Sequence, residues 1–474
     1  MYFTENGRDF LRAFYMGKIY PAIVCAMMFF SYMTATEVYV NVVNLVLLSI
    51  GLLVCDSIRP FIAVLPSYLY QFSMKTSMPT PEGLGALLSG TNLVLYIISF
   101  SILAVALVTF FIRNGLFTRE NLGSLPLKFS AILLSAAFLV NGIFSDRYVF
   151  SSTLYGVIQI VTFFGIFYLF YLGLKNDDAD DLVGYLSYVL AWVAILIFAD
   201  TIYLYVTSSG EFITDGVLNR GLIIYGWGNC NTAGQCAAAV IPICFLGVIK
   251  NRGYWFYILA ATLSLASAYL STSRNALILG ALAYVLSLFI CCFFGERKAR
   301  TGITAGIIVA ILGIAMLIFK ETTFVILNQY IDRGMDSSGR FELWDYAVML
   351  FKESPVFGKG FFGTYTETYH LEWGFPTMLH STPLQLLAGM GVVGFVAYYF
   401  YRICTFVPFL KNPNIAKTMI GGSLLVILVG SLIDNFVFYI PHMLFYPIAL
   451  AIVYKMEADG ESSKLDYYNY ITRW

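Results

Sequence analysis

The chain has little charge. Only 12% of its 474 residues are Asp, Glu, Lys or Arg, whereas soluble domains carry about 25%. With 59% hydrophobic residues and a mean hydropathy of +0.77, it cannot cover a globular surface with solvated side chains. This composition excludes a soluble globular protein and indicates a polytopic membrane protein. The 28 basic and 28 acidic residues balance, so the net charge does not indicate a nucleic-acid partner.

Histidine and paired cysteine are also scarce. There are three histidines, His370, His380 and His442. The eight cysteines lie mostly within apolar runs without paired spacing, so we interpret them as buried packing residues rather than a disulfide or metal framework. No N-terminal segment is typical of a cleaved signal, because the first apolar run is followed at once by further spans. We expect neither a metal nor a cofactor.

Long apolar runs fill the rest of the chain. Because a spanning helix needs about 20 apolar residues, the pattern predicts an all-α polytopic integral membrane protein with about 12–14 transmembrane helices in one membrane domain, residues 1–474. A shorter run, residues 60–74, is ambiguous because it is brief and contains Pro66. The thirteen clear candidates lie near residues 17–35, 39–56, 90–112, 127–145, 149–174, 183–207, 231–249, 253–271, 274–294, 301–319, 382–404, 416–434 and 437–455.

Basic residues predict the topology. Cytoplasmic loops carry an excess of Lys and Arg, and such residues occur near the N-terminus and in the loops at 113–128, 250–252, 297–300 and 402–417. All of these lie on one side only if residues 60–74 cross the membrane. That gives about fourteen spans in the cytoplasmic membrane with both termini in the cytoplasm. The regions 208–230, 271–274, 320–381 and 434–435 then share the extracytoplasmic face.

The loop 320–381 is the largest extracytoplasmic segment. Within it, apolar residues at three- and four-residue spacing (Phe341, Trp344, Val348 and Phe351) predict a short interfacial helix over 340–354, ended by Pro355. The glycines at 358, 360 and 363 then predict an irregular turn.

Another motif mimics a known metal site. Asp178-Ala179-Asp180 resembles the paired aspartates of metal-dependent sugar transferases, but it lies in a short loop without a nucleotide-binding domain. We interpret it as a solvated turn.

Four arginines are predicted on the outer face, where basic residues are disfavoured. They are Arg220, Arg274, Arg333 and Arg340. Each one alone can reach lipid headgroups or pair with a carboxylate. Four together favour an anionic ligand, because the planar fork of arginine matches phosphate oxygens and a diphosphate needs more than one fork. A lipid diphosphate at the bilayer surface fits this pattern.

His380 lies where the large loop re-enters the membrane, just before Ser381-Thr382-Pro383. Histidine ordinarily titrates near pH 6.5, and a neutral imidazole can accept a proton from a hydroxyl group. The alternative is a helix-end histidine that caps backbone or lies among headgroups. His370, in the middle of the loop, and His442, near the last span, are weaker candidates.

In the second half, ordered motifs resemble the O-antigen ligase and O-antigen polymerase family. Two departures are Cys230, where the family has proline, and Ser381, where it has asparagine after the histidine. The matching pieces are Arg220 with Asn229-Cys230-Asn231 and Pro242, Ser271 to Arg274, Gly339-Arg340 and Trp344 with Pro355 to Gly360, and His380 to Leu387 with Gly391 to Gly394.

The resemblance implies a metal-independent, inverting glycosyltransferase of the C-type superfamily. Such proteins take a glycan from undecaprenyl diphosphate on the outer face of the cytoplasmic membrane. The implied partners are that lipid-linked donor, a glycan acceptor and membrane lipids, with a chain-length regulator and a flippase as further candidates. The residue roles that the resemblance implies are His380 as general base and Arg220, Arg274 and Arg340 as diphosphate ligands. We further expect Arg333 as a weaker fourth cation, and Asn231, Ser381 and Asp434 in support.

Several outcomes remain open. We favour polymerisation of repeat units of a surface polysaccharide, such as O-antigen, capsule or exopolysaccharide, over ligation to a different lipid or protein acceptor. A flippase or transporter would place paired ionisable groups near the bilayer midplane, and only Asp200 lies clearly within a span. A scaffold would not require His380 or the arginines. The motifs do not specify the sugars or the acceptor.

Overall fold

The computed structural model describes residues 5–65, 90–214, 216–225, 228–250, 253–332, 339–364 and 378–459. Helices dominate these ranges, which confirms the predicted all-α polytopic class. The strands within the same ranges form two short antiparallel hairpins. They pair β1 (Ile213–Thr214) with β2 (Val217–Leu218), and β3 (Ile224–Tyr225) with β4 (Gly228–Asn229).

Each of the thirteen clear candidate spans contains a helix. Three 3₁₀ turns, Arg220–Leu222, Phe362–Thr364 and Phe436–Phe438, connect some of them. The helices are α1 (Glu5–Met16), α2 (Ile19–Thr34), α3 (Glu37–Val54), α4 (Arg59–Ala63), α5 (Gly90–Arg113), α6 (Arg119–Gly123), α7 (Lys128–Leu139), α8 (Phe150–Gly173, with a π-turn at Val161–Gly165), α9 (Ala179–Phe212), α10 (Cys230–Lys250), α11 (Tyr254–Leu270), α12 (Arg274–Phe294), α13 (Lys298–Ile318), α14 (Lys320–Asp332), α15 (Arg340–Glu353), α16 (Thr382–Leu410), α17 (Ile415–Gly430) and α18 (Ile440–Ala458).

Not every helix of the bundle is long enough to cross a membrane. Within the described ranges, eight helices are long and apolar enough to span, or nine if α1 and α2, bent by 65°, form one span. The apolar helices α7, α11 and α17 are shorter. The count of 12–14 therefore stays a prediction. Most of the ambiguous run 60–74 lies outside the described residues.

Helix α10 forms the centre of the bundle. It is almost entirely buried and packs against α9, α11, α12 and α17. Its small residues allow close approach: a Cβ on Gly234 would overlap the side chain of Ser271, and one on Gly247 would overlap the ring of Tyr257. This packing fixes the end of α11 and the start of α12 against the start of α10.

The connecting turns gather at two ends of the bundle. At one end, Arg59 pairs with Asp177 (3.0 Å) and Arg113 with Asp56 (3.7 Å). In the same region, Asp178 caps α9 by accepting a hydrogen bond from the backbone N–H of Asp181. Asp178 is thus a helix cap, which fits the interpretation of that motif as a turn.

The prediction that Arg402 lies in a cytoplasmic loop is wrong. Helix α16 continues to Leu410, and Arg402 is only 5% exposed inside the bundle. Its guanidinium carbon lies 4.2 Å from the ring centroid of Tyr446, 4.7 Å from that of Tyr398 and 5.0 Å from that of Phe163. Cation–π contacts therefore surround this charge. Counting basic residues cannot distinguish such a buried arginine from a loop residue.

Candidate functional site

Helix α15 carries Arg340 at its first turn and lies across the start of α16. The predicted helix is confirmed within one residue, since it ends at Glu353 before Pro355. Its buried face consists of Ala347 and Leu350, which pack with Leu379 and Ala388. Phe341 and Val348, on the face that the spacing had predicted as apolar, are exposed. Burial of the face that carries Ala347 and Leu350 fixes Arg340 next to the beginning of α16.

The backbone of His380 has an unusual conformation just before α16. Its φ is +48°, a left-handed value that is uncommon for residues with a side chain. The indole Nε1–H of Trp344, on α15, donates to the carbonyl oxygen of His380 (3.3 Å). Ser381 is the N-cap of α16, although its hydroxyl makes no capping bond. The imidazole is 34% exposed, so it remains accessible to a ligand.

Asp434 is the centre of the polar cluster around His380. Its Oδ1 lies 3.0 Å from His380 Nδ1, and it accepts from the backbone N–H of Asn435 (2.8 Å) and the hydroxyl of Tyr439 (3.1 Å). Its Oδ2 lies 3.4 Å from Nη2 of Arg340. An ionised carboxylate only accepts hydrogen bonds, so Nδ1 of His380 carries the proton. Nε2 is then the nitrogen with a free lone pair.

The Asp434 carboxylate is ionised at neutral pH although only 2% of it is exposed. Burial raises the pKa of this carboxyl, but the hydrogen bond and charge of His380 and the charge of Arg340 outweigh burial, and the pKa is lowered. The stability that the ionised group contributes is therefore present above about pH 4 and is lost as the pH falls through the lowered pKa. Burial and the Asp434 charge raise the pKa of Tyr439, which keeps its hydroxyl a donor.

A second set of contacts fixes the helix ends around this cluster. Oε1 of Gln385 accepts from the backbone N–H of Leu379 (2.9 Å) and from Nδ2 of Asn435 (3.1 Å). The backbone N–H of Thr382 donates to the carbonyl oxygen of Ser431 (2.9 Å). The start of α16 and the turn after α17 are thus joined through both backbone and side chains.

Arg220 and Asn231 form a second pair. Nη2 of Arg220 lies 2.6 Å from Oδ1 of Asn231 and 3.0 Å from Sγ of Cys230. The Cys230 sulfur, at the position where the resembling family has proline, thus accepts a hydrogen bond from Arg220. Asn229 caps α10, because its Oδ1 accepts from the backbone N–H groups of Asn231 and Thr232, both at 3.0 Å.

The remaining contacts bring α10, α12 and α17 to the same end of the bundle. Arg274 is the first residue of α12, and Nδ2 of the adjacent Asn275 donates to the carbonyl oxygen of Gly430 (3.4 Å). From α10, Nε2 of Gln235 donates to the carbonyl oxygen of Val426 (2.7 Å). Both acceptors belong to the last turns of α17, shortly before Asp434.

Of the predicted site residues, the structure joins Arg340, His380 and Asp434 by direct contacts and pairs Arg220 with Asn231. Arg274 lies at the same end of the bundle. Arg333 and His370 lie outside the described residues. In the described ranges, no group of three His, Cys, Asp or Glu side chains is arranged to hold a metal ion.

Sequence reasoning missed Tyr439 and Gln385. The only signal for Gln385 is its position five residues after His380, within the motif His380 to Leu387. Tyr439 had no distinguishing signal among 34 tyrosines. The chemical capacity of the cluster is that of a general base oriented by a carboxylate, with a guanidinium on the same carboxylate.

Replacing Tyr439 with phenylalanine should lower kcat about tenfold. The variant removes one of three donors to Asp434 Oδ1, and a hydrogen bond to a charged group contributes roughly 1.5–3 kcal/mol. The measurement is turnover, by the purified protein, of the lipid-linked glycan donor that the sequence resemblance implies. The control is Tyr39→Phe, at an exposed tyrosine 400 residues before Tyr439 in the chain. This variant should match wild type. An unchanged kcat for Tyr439→Phe would show that this hydroxyl has no role in the site.

A family comparison covers part of this region. Residues 237–399 match a family model described as O-antigen ligase. The match spans about a third of the chain and includes Arg274, Arg340 and His380, while Arg220, Asn231 and Asp434 lie outside it. No curated protein matches the chain. The resemblance predicted from the motifs is therefore confirmed at the level of the family.

Proposed function

We propose that this chain, whose residues 237–399 support its assignment to the O-antigen ligase and polymerase family, transfers a glycan from undecaprenyl diphosphate to a glycan acceptor. The acceptor we favour is another repeat unit, so that the product is a surface polysaccharide. The observation that carries the proposal is the contact of His380 Nδ1 with the buried Asp434 carboxylate, at 3.0 Å, beside Arg340.

The proton moves to His380. With Nδ1–H directed at Asp434, Nε2 accepts the proton of the acceptor hydroxyl as its oxygen attacks the anomeric carbon. The resulting imidazolium is stabilised by the adjacent Asp434 carboxylate. General-base assistance of this kind contributes about 10²–10⁴ in rate. The imidazolium then loses its proton to solvent, which its 34% exposure allows.

The bond to the lipid diphosphate breaks as the acceptor oxygen bonds to carbon. Its electron pair goes to the diphosphate oxygen, where negative charge grows. Guanidinium groups already in place stabilise that charge, and losing one such donor costs about 10²–10³ in rate. Arg340, Arg274 and Arg220 are the proposed donors. Attack from the face opposite the diphosphate inverts the anomeric configuration.

The location proposed for this reaction is the outer surface of the cytoplasmic membrane. The cluster lies at one end of an apolar bundle, where a polyprenyl chain can stay in the hydrocarbon while its diphosphate meets the arginines. In the proposed topology, this end of the bundle faces the extracytoplasmic side, and both termini lie in the cytoplasm. We propose a reaction that needs neither a metal nor a cofactor.

A second candidate is ligation of the glycan to a different lipid or protein acceptor. The observation that favours it is the description of the matching family model as O-antigen ligase. Both candidates use the same donor and the same base, so they differ only in the acceptor.

One reconstitution separates these candidates. The purified full chain, in lipid nanodiscs, is incubated with undecaprenyl-diphosphate oligosaccharide, with and without a lipid acceptor that carries a core sugar. A ladder of multiples of the repeat unit is expected and supports polymerisation. A single addition that needs the second acceptor supports ligation. Consumption of the donor only after a nucleotide sugar is added would overturn both.

A further inference from the structure

Helix α16, which follows His380, is broken in its first half. Gly391 has φ 64° and ψ −164°, a conformation that essentially only glycine adopts. The break separates residues 382–390 from residues 392–410. In a continuous helix, the N–H groups of residues 392 and 393 would donate to the carbonyls of residues 388 and 389. These four backbone groups therefore need other partners.

The segment Pro355–Gly360, here called the insert, supplies all four partners. It enters the break in α16 and exchanges backbone hydrogen bonds with both sides of it. The bonds run from Val392 N to Pro355 O (2.9 Å), from Val393 N to Val356 O (3.2 Å), from Lys359 N to Ala388 O (2.8 Å) and from Gly360 N to Gly389 O (2.8 Å).

Glycines make this contact possible. Gly358 has φ 69°, and a Cβ there would overlap the backbone of Gly389. A Cβ on Gly391 would overlap the backbone of Val356. The two backbones are therefore in direct contact, and no side chain fills a space between them.

The other side of the insert is fixed to the turn after α7. The backbone N–H of Gly142 donates to the carbonyl oxygen of Phe357 (2.9 Å). Just beyond the insert, the N–H of Phe361 donates to Oδ1 of Asn141 (3.1 Å). The insert is thus held between α16 and a part of the chain more than two hundred residues earlier.

Lys359 joins the three elements that meet at the insert. Its side chain is 5% exposed, and its Nζ lies 2.8 Å from Asp146 and 3.0 Å from Glu353. Glu353 is the last residue of α15, Asp146 belongs to the turn after α7, and the Lys359 N–H binds α16. Burial opposes the Lys359 charge, but the hydrogen bonds of Asp146 and Glu353 outweigh it and raise the pKa of Lys359. The hydrogen bond from Lys359 lowers the pKa of Asp146, so both groups are charged from about pH 4 to about pH 10.

We propose that Lys359 is a positioning residue that sets Arg340 relative to His380 through the insert. Arg340 begins α15, which runs to Glu353 and then to the insert. His380 precedes the first half of α16, which ends at the same insert. A shift at this junction therefore changes the spacing between Arg340 and the His380–Asp434 pair. The consequence for turnover rests on the proposed function, whereas the positioning does not.

The kinetic test compares three variants of the full chain in nanodiscs. Lys359→Met removes the ammonium and should lower kcat about 10- to 100-fold, since a misplacement of about 1 Å can cost about 10² in rate. The KM for the lipid-linked donor should change less than about twofold. Lys359→Arg keeps donors for both carboxylates and should recover most of kcat. Lys352→Met, at an exposed lysine near the end of α15, is the matched control and should equal wild type.

A distance measurement tests the positioning without any turnover. Spin labels are placed at Met349 on α15 and at Leu432 beside Asp434, both exposed positions, after serine replaces the partly exposed Cys292 and Cys404. Lys359→Met should broaden or shift the distance distribution, and Lys352→Met should not. If Lys359→Met does not fold, Asp146→Asn, at a carboxylate that is 75% exposed, should give a smaller change in the same direction.

The outcomes separate the two proposals. An unchanged distance distribution in a folded Lys359→Met protein overturns the positioning inference. A wild-type kcat for Lys359→Met, with wild-type protein active, does the same. A changed distribution in a protein whose wild type never consumes the donor supports the positioning of Arg340 and rejects the proposed function.

Discussion

Replacing His380 with alanine should lower glycan transfer by about 10²–10⁴, the contribution expected of a general base. The imidazole is the group of the cluster with both a free ring nitrogen and an exposed surface. The measurement is turnover of undecaprenyl-diphosphate oligosaccharide by purified protein, together with polymer formation in cells. The protein should still fold, since Asp434 keeps Arg340, Tyr439 and the Asn435 N–H as partners.

A glutamine at this position separates proton transfer from structural support. His380→Gln can still donate a hydrogen bond to Asp434 but cannot accept a proton at working pH. It should therefore be as inactive as His380→Ala while matching wild type in thermal stability. If His380→Gln kept normal chain lengths, the role of general base would be wrong, and His380 would be a helix-end structural residue.

Replacing Asp434 with asparagine should have a comparable effect, about 10²–10⁴ in kcat. The side chain keeps its shape, but its amide can donate to Nδ1 of His380, which then favours the tautomer with the proton on Nε2. A neutral imidazole in that tautomer cannot accept the hydroxyl proton; in serine proteases the corresponding change costs about 10⁴. Arg340 also loses its carboxylate, 3.4 Å away. Single-turnover rates of purified protein measure the effect.

The double variant with His380→Ala is the sharper test of this role. If Asp434 acts through the imidazole, Asp434→Asn should cost little more once His380 is gone, because residues that act as a unit are not additive. Losses that multiply in the double variant would show that Asp434 acts independently, through Arg340 or through the fold. Tyr439→Phe, which should lower kcat only about tenfold, provides a smaller loss with which these variants can be compared.

The helices were largely predictable because each depends on a local property. A run of about twenty apolar residues is a strong signal, and every clear candidate span contains a helix. The helix at 340–353 was predicted for a similar reason, from Pro355 and a repeating pattern. Its buried face was not, because burial depends on the neighbour that covers it: Ala347 and Leu350 face α16, and larger apolar residues face outward.

For the site, the sequence predicted several of the residues that take part but not the contacts between them. The predicted topology brings His380, Arg340 and Asp434 to one face of the membrane, but no spacing rule joins His380 Nδ1 to a carboxylate 54 residues later. The insert was harder still. Its bonds to α16 run between backbone groups, so the glycines that permit them are the only trace in the sequence, and those glycines equally suit a simple turn.

The contact between His380 and Asp434 also has a consequence for biosynthesis. A ribosome makes His380 first and Asp434 54 residues later, after α16 and α17. A nascent or truncated chain that stops before Asp434 contains His380 and the four candidate arginines, Arg220, Arg274, Arg333 and Arg340, but lacks the carboxylate that orients the imidazole. Competence for the proposed glycan transfer is thus acquired only after α16 and α17 have been made. Under the proposed function, chains that stop before Asp434 should leave the lipid-linked glycan pool unconsumed.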